Sequence, residues 1–379
     1  MRYRGRSVFS GEVVEVEVLD GRIAALHPSP QEADVWLAPG LVDLQVNGFL
    51  GIDLNDPDLT VDAVRRLTRV LAARGTTTFL PTIVTAAQGA MERIARSIAA
   101  ARQADPMVRH AIPSLHLEGP GISPLNGYVG AHPAEHVRAP SLAEFDAVQA
   151  ACGGLVGMVT MSPHWDGSLE YIRGLRARGV VVSLGHTHAS SEQIRAAVDA
   201  GARLSTHLGN GIAGMLPRHP NPIWTQLAED RLTASLIADG VHLSADTLRA
   251  MVRAKGCERA VLVSDSVALA GSPAGEYRVG IGGDVIVRED GSIVMRDGGL
   301  LAGSGIALKD AVARCVTLAG VALGDAIAMA TVNPGRFAGG RGVLEVGAWA
   351  DLMMFRWEAG DRTLALETVV AQGVEVGEA

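Results

Sequence analysis

The segment APGLVDLQVNG, residues 38–48, begins as a buried strand and then departs from one. Pro39 and Gly40 punctuate the chain before it, and Leu41 to Val46 is largely apolar. Asp43, Gln45 and Asn47 interrupt that run at every second position. Residues two apart share a face of a strand, so a carboxylate and two amides should project together from an otherwise apolar element.

Working outward, apolar and β-branched segments recur at 42–47, 76–83, 111–118, 155–161, 180–186, 202–207, 232–239 and 260–265. Helical patterns separate most of them. Val61, Val64, Leu67, Val70 and Leu71 form a helical stripe closed by Gly75. Ser141 with Glu144, and Ser190 with Gln193, have the spacing of a capping box. A further helix starts at Ser244 and stops at Gly256. Eight strands with intervening helices predict an α/β fold, a parallel (β/α)8 TIM barrel; a doubly wound open sheet is the rival. The strand ends favour the barrel. Gln45 and Asn47, His116 and Glu118, His186, His207 and Asp265 all stand at carboxyl ends. A barrel gathers such ends into one mouth, whereas an open sheet strings them along a line.

Both termini have a different texture. Val14, Val16 and Val18 alternate with glutamates, and Asp20-Gly21 occupies a hairpin position. The C-terminal stretches GVLEVGAWADLMMF and TVVAQGVEV look similar. We expect residues 1–39 and 341–379 to form one small β-sandwich domain beside a barrel domain over 40–340. Within the barrel, residues 275–300 read as a β-hairpin insertion turning at Asp290-Gly291.

Composition narrows the function classes. The 379 residues are 48% hydrophobic and carry a formal net charge of −8, with no Lys/Arg cluster to line a nucleic-acid groove. Cys152, Cys257 and Cys315 are scattered, with no CxxC, and read as small core residues of a reducing compartment. The basic N-terminus breaks into charged alternation before any apolar stretch forms, and no apolar run approaches a membrane span. These features predict a soluble, cytoplasmic protein.

Glu118, His186 and His207 come from three strand ends and suit a divalent cation. Two imidazoles and one carboxylate match Zn²⁺ and leave a coordination position for water. His116, one pleat deeper than Glu118, reads as a hydrogen-bonded residue of a barrel layer. His188, beyond its strand, reads as a loop or supporting group. Asp265 in VLVSDSVALAG is either a turn residue or a general base beside the cation.

The ordered motifs PTIVT at 81–85, HLEGP at 116–120, GAH at 130–132, SLGHTHAS at 183–190, STHLGN at 205–210, IADGVHL at 237–243 and VSDS at 263–266 join APGLVDLQVNG. Together they resemble the N-acetylglucosamine-6-phosphate deacetylase family of the amidohydrolase superfamily, across essentially the whole chain. Most amidohydrolases carry His-x-His at the end of strand 1; here Gln45 and Asn47 stand there. Amides are poor ligands for a borderline-soft ion. The resemblance therefore implies one principal metal on Glu118, His186 and His207, most simply one Zn²⁺, with Fe²⁺ or another divalent ion as alternatives. Gln45 and Asn47 become supporting groups or a weak metal site.

The same resemblance implies that Asp265 is the general base and then the acid in amide hydrolysis, and that His132 stabilises the oxyanion. It implies substrate contacts from Ala131 and His132, the Asn210 and Gly211 backbone, His242, and Leu301, Ala302 and Gly303. Arg218 would come from a neighbouring subunit of a homodimer. The segment LPRHPNPIWTQ around Arg218 departs from the family's glycine-rich pattern. Trp224 there either packs the following helix or reshapes the sugar pocket. The implied reaction removes acetate from N-acetylglucosamine 6-phosphate. The alternatives are another N-acetylated sugar such as an N-acetylgalactosamine phosphate, an unphosphorylated amide, a cyclic amide, or an assembly protein that has lost catalysis. The last is disfavoured because Glu118, His186, His207 and Asp265 are all present.

Overall fold

The computed structural model describes residues 1–279, 283–296 and 299–377. Its centre is an eight-stranded parallel sheet: β1 (Leu41–Val46), β2 (Thr76–Val84), β3 (Leu115–Glu118), β4 (Val156–Met161), β5 (Val181–Leu184), β6 (Leu204–Ser205), β7 (Thr233–Leu236) and β8 (Ala260–Leu262). Each strand pairs with its successor. The seam between β8 and β1 is closed by Asp43. Its carboxylate accepts from the Ser264 amide at 3.2 Å, while the Asp265 amide donates to the Gln45 carbonyl at 3.0 Å and the Asn47 amide to the Ser266 carbonyl at 2.8 Å. The sheet is thus a (β/α) barrel, as the sequence predicts.

The row of three polar residues on β1 is corrected in one respect. The pairing of β1 with β2 shifts register between Leu41 and Val42 and again between Asp43 and Val46. A bulge re-aims side chains and breaks simple alternation. Asp43 is spent on the seam, and only Gln45 and Asn47 reach the mouth. Burial pushes the Asp43 carboxyl up to about 7. Below the mouth, Val42, Leu44, Leu80, Met158, Leu204 and Val261 pack together and fill the barrel. A larger layer, including Phe79, Leu117, Val159 and Leu184, packs outward against the helices.

The three helix starts marked by serine caps in the sequence form as expected, with one difference. Ser190 and Gln193 form the reciprocal capping box on Ser191–Ala200. Ser244 caps Ala245–Lys255, which stops at Gly256. Ser141 caps Leu142–Ala151, but Glu144 does not complete a box because it pairs with Arg138 at 2.8 Å. Ala111 does not start a strand: Asp105 caps a short helix, Pro106–Ala111, and β3 begins at Leu115.

The terminal strands form one curled seven-stranded sheet around Tyr3, Val16, Val18, Ile23, Leu37, Leu352 and Val370. Its central parallel pair joins Arg2–Ser7 to Trp36–Pro39, and Leu352–Arg356 pairs with the latter from the far end of the chain. Asp20 and Gly21 both have positive φ at the turn before Arg22–Pro28, as a primed hairpin requires. The insertion after β8 is more than a hairpin. Gly275–Val279, Gly283–Val287 and Ile293–Met295 make a three-stranded antiparallel sheet; residues 280–282 and 297–298 of that stretch, and 378–379 of the C-terminal one, lie outside the described residues. Among the described residues no helix is long and apolar enough to cross a membrane.

Candidate metal centre and active site

His186, His207 and Asp265 do not sit on the strands themselves. They follow the last strand residues and take positive φ of 47°, 26° and 47°. Non-glycine residues pay for this conformation, and such strain concentrates at functional sites. Glu118 ends β3 directly. Glu118, His186 and His207 are buried, Asp265 is half-buried, and all four line one cavity of about 490 Å³.

Glu118, His186 and His207 converge, with ligand atoms all within 4.8 Å of one another. Glu118 Oε1 lies 3.0 Å from His207 Nε2, 3.3 Å from His186 Nε2 and 3.1 Å from Gln45 Nε2. His186 Nδ1 donates to the Tyr128 carbonyl at 2.7 Å. A neutral His186 therefore brings only a lone pair towards Glu118, and two acceptors face each other. A cation between them resolves that opposition, and an imidazole held through its other nitrogen is the usual form of a metal ligand. The donor set thus fits a divalent ion. The His186 ring is pressed by Gly211, where a Cβ would stand 2.6 Å from its Nδ1. It meets the His132 and His207 rings edge-on, with centroids 4.5 Å and 4.9 Å away.

The electrostatics follow from burial and proximity. Burial alone would raise the Glu118 carboxyl, but the adjoining His186 and His207 imidazoles and the nearby His132 hold it well below the usual carboxylate range. For His207, burial works downward and the Glu118 contact outweighs it, so the imidazole is raised. Burial pushes Asp265 up to about 6, with His207 opposing and Glu118 adding to the rise. Asn47 Nδ2 donates to Asp265 Oδ1 at 2.8 Å, which fixes the carboxylate's orientation.

His132, readable as a loop histidine, is buried. Its Nε2 lies 3.8 Å from Glu118 Oε2, and burial, with the His186 imidazole beside it, pushes it down to about 3. Its Nδ1, Asn47 Oδ1, His207 Nδ1 and Asn210 Nδ2 are buried without a partner among the described residues. All four residues line the cavity. Unpartnered buried polar atoms are uncommon in native folds, and several around one cavity mark a ligand site.

Ala131, His132, Asn210, Gly211, His242, Leu301, Ala302 and Gly303 also line the cavity. His242 Nδ1 is held by Asp239 at 2.6 Å. Arg218 does not reach the cavity of its own chain; it is exposed on the 212–221 segment. Trp224 corrects both of its expected roles: it lies 56% exposed on helix Pro222–Ala228 and does not line the cavity. His116 is a layer residue as read, bonded to the Leu44 carbonyl at 3.0 Å and Thr160 at 2.7 Å. His188 supports the site from outside: its Nδ1 meets Ser123 Oγ at 2.6 Å, and the Ser123 amide donates to the His186 carbonyl. Sequence reasoning missed Tyr128, whose carbonyl leaves no trace in a side-chain motif, and Asp53, which ends a two-residue strand shortly after β1.

The description "Amidohydrolase family" matches residues 36–376. An N-acetylgalactosamine-6-phosphate deacetylase of Escherichia coli O157:H7 is 35% identical over 87% of this chain and 86% of its own length. An N-acetylglucosamine-6-phosphate deacetylase of Bacillus subtilis is 33% identical over 78% of this chain and 77% of its own. A mutant N-acetyl-D-glucosamine-6-phosphate deacetylase of Mycobacterium smegmatis, solved in complex with N-acetyl-D-glucosamine 6-phosphate, superposes with a TM-score of 0.88 at 31% identity over 99% of both chains. With that likeness along nearly its full length and a buried Glu-His-His cluster at the barrel mouth, the chain belongs to the N-acetylglucosamine-6-phosphate deacetylase family of the amidohydrolase superfamily.

Proposed function

We propose that the protein removes acetate from an N-acetylhexosamine 6-phosphate, with N-acetylglucosamine 6-phosphate as the first candidate. The observation that carries this reading is the convergence of Glu118, His186 and His207 in the same cavity as Asp265. Glu118, His186 and His207 would hold the cation, and one Zn²⁺ is the ion their chemistry suits best. When bound, such an ion polarises an amide carbonyl and lowers the pKa of water.

The chain's own groups supply the rest. Asp265, raised by burial and oriented by Asn47, is suited to take a proton from the attacking water and return it to the departing amine. His132 stays neutral and keeps Nδ1 unpartnered, so one ring N–H can donate towards developing oxygen charge. Gln45 holds Glu118 by a hydrogen bond. For the phosphate, the Gly211 amide and the unpartnered Asn210 Nδ2 offer donors and His242 lines the same wall, but among the described residues no Lys or Arg lines the cavity. That lack supports Arg218 of a second copy as the missing cation, and hence a homodimer. A cytoplasmic location and the division into a 1–39/341–379 sandwich and a 40–340 barrel belong to the same reading.

A second substrate is favoured by one observation: the E. coli relative at 35% identity acts on the galactosamine epimer by name. Release of acetate from N-acetylglucosamine 6-phosphate, N-acetylgalactosamine 6-phosphate and their unphosphorylated parents tests the reading. Faster turnover of a phosphorylated sugar is expected; equal rates with and without phosphate would remove the anion site.

A further inference from the structure

The cavity wall carries three carboxylates among the described residues: Glu118, Asp265 and Asp53. Glu118 belongs to the cation cluster, and Asp265 is bound to Asn47 beside it. Asp53 has neither task. It ends the strand Ile52–Asp53, which pairs antiparallel with Gly48–Phe49 immediately after β1. The ribbon is tight: Gly48 lies opposite Asp53, and a Cβ there would stand 2.2 Å from the Ile52 carbonyl oxygen. The Leu54 amide then donates to the Asn47 carbonyl at 2.9 Å. Asp53 is therefore carried on a rigid element fixed to a residue of the mouth.

One of its oxygens is committed. Asp53 Oδ1 accepts from the Asn55 amide at 2.8 Å. The other oxygen takes no donor among the described residues, although burial raises the carboxyl above its ordinary value. Asn47 Oδ1 is a second unpartnered acceptor at this wall, and the other polar neighbours are partly engaged. Asn55 donates to the Thr82 carbonyl at 3.0 Å and accepts from the Val84 amide at 2.9 Å, so both ends of its amide are anchored to β2. Asn47 gives its amide nitrogen to Asp265, and His242 gives Nδ1 to Asp239.

A carboxylate oxygen left free in a cavity without Lys or Arg has neutral O–H groups as its natural partners. With the amide at the cation cluster and the phosphate at the far contacts, a hexosamine phosphate still presents O1, O3 and O4. We propose that Asp53 accepts a hydrogen bond from one of these ring hydroxyls and is a specificity-determining residue of the site. The proposal rests on the N-acetylhexosamine reading above.

Steady-state kinetics on Asp53→Asn and Asp53→Ala test it, using N-acetylglucosamine 6-phosphate, N-acetylgalactosamine 6-phosphate and the 1-, 3- and 4-deoxy analogues of the better of the two. Asp53→Asn keeps an oxygen for the Asn55 amide and removes the free acceptor. For the full substrate, kcat/KM should fall about 10- to 100-fold, chiefly through KM, as expected for a hydrogen bond to a charged group. For the one deoxy analogue lacking the recognised hydroxyl, wild type and variants should have equal kcat/KM. A uniform loss across all analogues makes Asp53 a turn anchor only and overturns the proposal, as does no loss at all. A wild type inactive on every phosphorylated sugar removes the substrate reading and the hydroxyl contact with it.

Discussion

At the cation cluster, Glu118 Oε1 has three nitrogen neighbours within 3.3 Å, and His186 is held by a carbonyl on one side and a glycine backbone on another. Across the cavity, the segment 212–220 is held among the described residues by one hydrogen bond, from Asn221 to the Pro217 carbonyl at 3.2 Å. Met215 there is 91% exposed, and Arg218 is exposed as well. Chemistry needs groups fixed within fractions of an ångström, so one chain builds that half to completion. Under the homodimer proposed above, recognition of a distant anion would tolerate such a looser part, completed by Arg218 of a second copy.

The contrast can be broken from either side. Chelating the cation should reduce turnover to background, with Zn²⁺ restoring it; activity that persists in metal-free protein, verified by elemental analysis, would dissolve the cluster's role. Asp265→Asn should retain metal and fold but lose at least ~10²-fold in kcat; near-normal turnover would take the proton-transfer role from Asp265. Arg218→Ala should raise KM for the phosphorylated substrate about 10- to 100-fold and leave the unphosphorylated parent unchanged. A fully active monomer by light scattering would contradict the shared site. Gln45→Ala should weaken metal affinity about tenfold in a chelator competition, because groups that orient a ligand tune the ion. Stability gives the smallest contrast: Trp224→Ser should change the unfolding free energy of the isolated chain by no more than about 0.5 kcal/mol. Leu44→Ala, inside the barrel, should cost about 2–5 kcal/mol in the same denaturant titration.

Much of this was legible from residue order. The alternation of strands and helices is local, and capping residues such as Ser190 and Ser244 mark their own helices. Glu118, His186 and His207 could be picked out because polar residues at the ends of apolar strands contradict burial unless something is bound there. Asp43 was less transparent. It shares the spacing of Gln45 and Asn47, but its carboxylate is taken by the Ser264 amide across the β8–β1 seam. Glu144 has box spacing, yet Arg138 competes for it. Trp224 reads as a packing or pocket residue, and the fold leaves it on the surface. In each case a partner distant in sequence decided, and spacing along the chain carries no record of that partner.

The sequence by itself determined which elements form, in what order, and which side chains arrive at the carboxyl ends of the strands, because these depend on periodicity and nearest neighbours. Only the tertiary structure decided which nitrogen of His186 faces Glu118, that β8 and β1 close through Asp43, and that Asp53 keeps an oxygen free while Asn55 is anchored at both ends of its amide. Those outcomes depend on how hydrogen-bonding capacity is shared among groups brought together from across the chain. That sharing is a property of the packed arrangement and of no single segment.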